Sequence, residues 1–385
     1  MWTASGSRRC TSNSTRAGED RLAEPAVMVW DAGVLATYVH NLDPVIVGLW
    51  RGLALRWYGL AYLLGFVVGF LLLRHLARRG LWVLKPDKTA DFIAAAALFG
   101  VFLGGRLGYI LFYFLPKEGC AALAADPLLV FRVWEGGMAS HGGILGLLIF
   151  TWIYARREKV TWAGLGDGLC VVAPLGLFFG RMANFINGEL YGRVASGVSW
   201  AVKFPLALID DKAPEAMRFD AAAAAAATVK PGLSAAYQAL EVGRVNMEAG
   251  MGAQEYVAAR GAMFQEILVA NRHSPEVGAA LGPFLEPRHP SQLYEGLLEG
   301  LALFAVLWLV RLRFQKAPDG VLTGLFFGGY AVLRIFAESF REPDAALVGP
   351  LTQGQFLSLF MLLIAAGFLL HAWKQRGLQD SAGTH

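Results

Sequence analysis

The chain has 385 residues, 56% of them hydrophobic and 17% charged, with a mean hydropathy of +0.46 and a formal net charge of +4 at pH 7. That balance excludes an ordinary soluble globular domain and describes a polytopic membrane protein. Lys and Arg sit mostly in short loops between apolar runs, not in a basic stripe with aromatics, so nucleic acid is not an expected partner; Cys10, Cys120 and Cys170 lack the paired spacing of a disulfide framework or zinc site.

Residues 1–28 are polar, carry Arg8 and Arg9 without an apolar run, and end at Met28, so neither a signal peptide nor a spanning segment is expected there. They read as a disordered, dispensable extension, and a chain starting at Met28 should keep expression and activity. The first span runs from Leu53 to about Leu73 and stops at Arg74, Arg78 and Arg79. Asp91 to Leu115 forms the second, with Arg106 inside it and Gly104 and Gly108 at the small-xxx-small spacing that lets helices approach closely. A hydrophilic stretch with Trp134, Glu135 and Gly136-Gly137 precedes the third, Ser140 to Tyr154, which ends at Arg156, Arg157 and Lys159. The fourth, Gly164 to about Ile186, contains Pro174 and several glycines, which predict a kink or irregular segment.

Between Arg193 and His289 lies a long hydrophilic insertion with the alanine run Ala221 to Ala227 and a helix-rich stretch from Leu233 to Asn271. It reads as an external arm or cap, although the run beside Pro231-Gly232 could equally mark a flexible insertion. No catalytic role is assigned between Lys212 and Leu285. Three further spans follow at Leu293 to Val310, Val321 to Phe340 and Phe356 to Trp373.

The expected fold is therefore an all-α polytopic membrane protein with about seven transmembrane helices. The basic loops Arg74–Lys88, Arg156–Lys159, Arg311–Lys316 and Lys374–Arg376 then share one face, which the positive-inside rule makes cytoplasmic, with the N terminus outside and the C terminus inside. In this organisation residues 29–192 and 289–375 each contribute half of the site, 193–288 form a periplasmic arm, and 376–385 a cytoplasmic tail.

Polar residues collect at the outer ends of these spans. Gly180 to Gly192 places an arginine, two amides and a glutamate at the end of an apolar run, where a charge near the bilayer centre costs about 2.5–3.5 kcal/mol unless a protein cavity receives it. In span six Tyr330, Arg334, Glu338 and Arg341 fall on one helical face. An intrahelical Arg334–Glu338 pair is the plain reading of that face. Two arginines and a phenol there also make a fork for phosphate, which Arg181 would complete. His141, beside Gly142-Gly143, has a side chain of the right type for a proton acceptor or headgroup contact. Tyr58 could be an aromatic-belt residue, and Ser291 at the start of span five reads as a helix cap, since no G-x-S-x-G elbow is present.

The run Gly180-Arg181-x-Ala183-Asn184-Phe185-Ile186-Asn187-x-Glu189-x-x-Gly192 resembles the signature of the bacterial prolipoprotein diacylglyceryl transferases. Arg56–Leu60, Gly104–Tyr109, Gly136–Gly143, His289–Glu295 and Phe340–Asp344 fit the same pattern in order, over nearly all of residues 45–375 outside the arm. The resemblance implies an inner-membrane enzyme with its site in the periplasmic half. Such an enzyme moves the diacylglyceryl group of phosphatidylglycerol to the lipobox cysteine of a prolipoprotein and releases glycerol phosphate, without cofactor or metal. The family's functional residues fall on Tyr58, His141, Arg181, Asn184, Glu189, Gly192, Tyr330, Arg334, Glu338 and Arg341. Of these, His141, Arg181 and Arg334 are the catalytic candidates. Asn184, Tyr58, Tyr330 and Arg341 join the two arginines in binding the lipid, while Glu189, Gly192 and Glu338 support them. The arm is longer than the family pattern and the N-terminal extension is foreign to it. A phospholipid hydrolase, or a lipid transporter or flippase, would use the same anion-binding cavity, though the halves show no internal repeat.

Overall fold

The computed structural model describes residues 38–48, 54–132, 136–343, 347 and 349–382; the N-terminal extension, Trp134, Glu135 and Asp344 lie outside them. A short antiparallel pair, β1 (Val45–Gly48) and β2 (Ala54–Arg56), leads into α1 (Trp57–Arg78). Helices then occupy every stretch expected to span: α2 (Thr89–Ala125), α3 (Ser140–Glu158) and α4 (Trp162–Asn187) before the insertion, then α9 (Ser291–Arg313), α10 (Val321–Ala337) and α11 (Gln353–Ala382) after it. Among the described residues 5 helices are long and apolar enough to cross a bilayer unaided. The exceptions are α3, which ends in the charged Arg156, Arg157 and Glu158, and α10, which has 17 residues. Tyr62, Leu63, Phe66, Val67 and Leu71 of α1 are exposed, as are Leu359, Phe360 and Leu363 of α11. Apolar surface of that extent finds its solvent in lipid.

Helix packing follows the small residues. A Cβ on Gly104 of α2 would come within 2.7 Å of the Gly142 carbonyl and 2.8 Å of Gly146 Cα, so only glycine permits this contact between α2 and α3. No irregular segment interrupts α4 at Pro174, which lies inside one helix from Trp162 to Asn187. Proline here costs one backbone bond to Cys170. Buried contacts of Leu165, Val171 and Val172 in the main apolar core hold the helix together around it. Irregular turns appear instead as π-helical stretches, Ala96–Phe102 and Ile110–Phe114 in α2 and Gly296–Ala302 in α9.

At the end of the bundle where the basic loops lie, Lys88 pairs with Glu158 at 3.4 Å, Arg311 donates to the Leu81 carbonyl at 2.7 Å, and Thr161 bonds Asp319. Buried Asp167 of α4 accepts from Gly320 N, Thr323 N and Thr323 Oγ1 at 2.8–2.9 Å. It thereby satisfies the otherwise orphaned first turn of α10 from a neighbouring helix.

At the other end the insertion folds into α5 (Phe219–Val229), α6 (Ser234–Glu248), α7 (Ala253–His273) and α8 (Pro275–Leu281). The alanine run is structural: Ala222, Ala223 and Ala226 are fully buried on α5 against Phe264, Ile267, Val277 and Leu281. Small side chains let these helices close up, so the flexible alternative does not hold. Isolated backbone pairings join the insertion to the bundle, running Val39 to Lys203, Val202 to Arg288, Arg288 to Val194, and Gly192 to Arg341. This ladder fixes the chain ends of α4, α9 and α10 beside one another.

Candidate active site

Three helices meet at this end and each brings charge. Arg181, in the last turns of α4, places Nε 2.7 Å from Glu295 Oε2 and Nη2 3.9 Å from Glu299 Oε2. Arg334 of α10 sets Nη1 3.0 Å from Glu295 and 3.5 Å from Glu299, while Nη2 pairs with Glu338 at 2.7 Å. Arg341 Nη1 reaches both oxygens of Glu295 at 3.1 and 3.3 Å. Glu295, Glu299, Glu338 and Arg341 are buried, and Arg181 and Arg334 nearly so. Glu295 is thus the hub, touched by all three guanidinium groups.

Arg181, Arg334 and Arg341 face Glu295, Glu299 and Glu338, so the formal charges balance. Geometry does not close the cluster. Glu299 meets Arg334 at 3.5 Å and Arg181 only at 3.9 Å, and Nη1 of Arg334 and Oε2 of Glu338 are buried at ion-pair distance without hydrogen-bond geometry. Buried polar atoms are rarely left so, because each forfeits its hydration. A polar ligand entering here would satisfy them, and an anion would compete with Glu295 for the arginines.

A second, amide-centred group adjoins the first. Asn184 Oδ1 lies 3.5 Å from Arg181 Nη1, and its Nδ2 donates to Glu189 Oε1 at 2.9 Å and to the Tyr58 hydroxyl at the start of α1. Burial holds the Glu189 carboxyl above the usual carboxylate range. Tyr330 stands beside Glu299 on α10. Gly192 N donates to the His289 carbonyl at 2.9 Å, and a Cβ there would lie 2.6 Å from that oxygen, so a side chain would part the ladder.

Two expectations change in space. Arg341 does not share the helical face of Arg334, because α10 ends at Ala337 and Arg341 belongs to the extended pairing with Gly192. His141 is exposed at the first turn of α3 and makes no hydrogen bond or ion pair with the arginine cluster among the described residues. The segment before it is held by a residue the sequence placed but did not explain. Buried Arg106 donates to the carbonyls of Leu129, Val130 (3.1 Å), Gly136 (2.6 Å) and Gly137 (2.9 Å), fastening the segment before His141 to α2. Glu295 and Glu299 also had no assigned role, although two carboxylates one turn apart in an apolar span meet the same criterion that singled out Arg181.

Residues 44–371 match the family model described as prolipoprotein diacylglyceryl transferase. The chain belongs to the prolipoprotein diacylglyceryl transferase family. It is 36% identical over 343 residues to the phosphatidylglycerol–prolipoprotein diacylglyceryl transferase of Neisseria gonorrhoeae (strain NCCP11945), covering 88% of this chain and 98% of that protein. Proteins of the same name from Rhodospirillum rubrum (36% over 339 residues, 87% and 93% covered) and Escherichia coli O1:K1 / APEC (35% over 348 residues, 89% and 97% covered) are comparably similar. For this diacylglyceryl transferase family member the matched region takes in Tyr58, His141, the whole Arg–Glu cluster and the insertion.

Proposed function

We propose that this protein transfers the diacylglyceryl group of phosphatidylglycerol to the thiol of a prolipoprotein's lipobox cysteine, releasing glycerol phosphate as the first step of lipoprotein maturation. The observation that carries this reading is the buried, incompletely satisfied cluster of Arg181, Arg334 and Arg341 around Glu295 and Glu299. The reaction forms a carbon–sulfur bond and breaks the bond between the glyceryl carbon and a phosphate oxygen, whose electrons leave with the phosphate. It therefore needs a cation site for the departing charge and an acceptor for the thiol proton, because a thiol near pKa 8.5 is a poor nucleophile while protonated.

Arg181 and Arg334 grip the phosphate, with Arg341 beside them, and Glu295, Glu299 and Glu338 hold the guanidiniums in place until it arrives. Asn184, Tyr58 and Tyr330 orient the glycerol, and Glu189 and Gly192 fix Asn184 and the chain turn. His141 takes the thiol proton, reaching the reacting cysteine from the lipid-facing side. We read the bundle as seven spans of the inner membrane with the site in the periplasmic half, a reading supported by basic clusters that all lie at the opposite end.

Labelled phosphatidylglycerol with and without a lipobox peptide tests the reaction. Label on the peptide cysteine supports the transferase, peptide-independent glycerol phosphate would mean a hydrolase, and neither product would point to lipid transport. His141→Gln at matched protein level should lower the transfer rate; near-normal rates would remove His141 as the base.

A further inference from the structure

A cavity of about 370 Å³ opens beside the cluster on its outer side. Glu189 and Arg341 border it from the site, and Leu206, Ile209 and Asp210 border it from the insertion. We infer that this cavity receives the residues that directly follow the acceptor cysteine of the prolipoprotein, and that Leu190 and Ile209 set which side chains fit there. The inference rests on the transferase reading and names the part of the substrate that meets the insertion.

Its position comes first. Once the thiol reaches the arginine cluster, the chain beyond the cysteine must leave toward the outer end, and this cavity joins the cluster to the insertion without entering a span. Its size lies at the lower end of the roughly 300–1,000 Å³ of ligand pockets, enough for a short stretch of peptide but not for a two-chain lipid. The polar lining is mixed, Glu189, Asp210 and Glu342 beside Arg341 and Lys212, and is not the cation-rich site that glycerol phosphate would need. The walls contributed by Leu190, Leu206 and Ile209 are apolar and suit side chains.

The backbone holds one wall against its own preference. Leu190 has φ 56°, a left-handed conformation unfavourable for a residue with a branched side chain. The start of α9 secures it: Gln292 Nε2 donates to the Glu189 carbonyl at 2.6 Å and Ser291 Oγ to the Leu190 carbonyl at 3.0 Å. On the far side the Tyr191 hydroxyl donates to Asp210 at 2.7 Å, tying the turn to the insertion. Ser291 thus fastens the turn at Leu190 and does not cap α9, the role its place at the helix start suggested.

The test uses the purified full-length protein with phosphatidylglycerol and two peptides, one amidated at the lipobox cysteine and one extended four residues beyond it. The extended peptide should have a KM about tenfold lower, in the range that a filled apolar pocket commands. Ile209→Trp should erase that advantage while leaving the KM for phosphatidylglycerol and kcat on the short peptide unchanged. Ile209→Ala, which carries the test should the tryptophan variant fail to fold, should accept an extended peptide with Phe after the cysteine better than the wild type does. Equal KM values for the two peptides in the wild type, equal slowing of both by Ile209→Trp, or no gain for Ile209→Ala would overturn the inference. Absence of transfer to either peptide would sink the transferase reading itself and this inference with it.

Discussion

Two buried arginine sites lie close together and differ in one respect. Arg288, at the junction of the insertion and α9, is fully matched: Nε and Nη2 bind the two oxygens of buried Glu215 at 2.9 and 2.8 Å, and Nη1 meets the Gly192 carbonyl and Glu342 at 3.3 and 3.2 Å. Its guanidinium also lies over the Tyr191 ring, 4.8 Å from the centroid. The cluster around Glu295 has more charges, but its contacts to Glu299 are long, 3.5 and 3.9 Å, and several of its buried atoms are held by ion pairs without hydrogen-bond geometry. A closed pair staples two parts of a fold, whereas an open cluster spends stability to stay ready for a ligand.

The largest effect should come from the open cluster. Arg181→Ala should lower transfer by about 10²-fold or more while the protein still inserts and purifies, as removal of a charge-stabilising group at a reacting centre does. A fully active Arg181→Ala would erase the contrast between the two sites. Arg288→Ala should do the reverse and act on folding, destabilising by about 3–5 kcal/mol because Glu215 is left buried and unpaired. Replacing both partners with apolar residues, Arg288→Met with Glu215→Leu, should restore most of the loss in thermal unfolding. An Arg288→Ala protein with unchanged melting but lost transfer would move Arg288 into the site.

Histidine 40 offers a milder test on the insertion side. Its ring stacks on Phe204 and meets Phe185 edge-on, each at 5.5 Å, and burial pushes its pKa down to about 4 from 6.5. The unfolded chain binds the proton more tightly, so the stabilising contribution is full above pH 6.5 and is lost as pH falls toward 4, on the order of 3 kcal/mol in all. Melting temperature should drop between pH 7 and pH 5, and His40→Phe should flatten that slope. The smallest effect belongs to Arg244, whose pairs with Glu241 and Glu248 are both 2.7 Å long but lie on the surface. Solvent already serves those charges, so Arg244→Ala should leave melting and transfer unchanged; a large shift would mean that this helix face is covered by something.

Sequence by itself determined the parts governed by short-range rules. Apolar length placed every helix of the bundle, the four-residue spacing gave the Arg334–Glu338 pair at 2.7 Å, and the small-residue spacing in α2 marked a site of close helix approach. The motif order carried the family. Tertiary structure decided the rest, because partner choice between helices depends on packing and on where each helix stops. Periodicity put Arg341 on the face of Arg334, but α10 ends first and the Gly192 pairing redirects the chain. Glu295 became the hub only when α4, α9, α10 and the chain beyond α10 converged, since its three arginines come from separate segments. The alanine run could be read as arm or linker until Phe264 and Ile267 of α7 closed over it. Spacing along a helix fixes which side chains share a face; which charge waits across from that face, and whether it is fully matched, is settled only when distant helices meet.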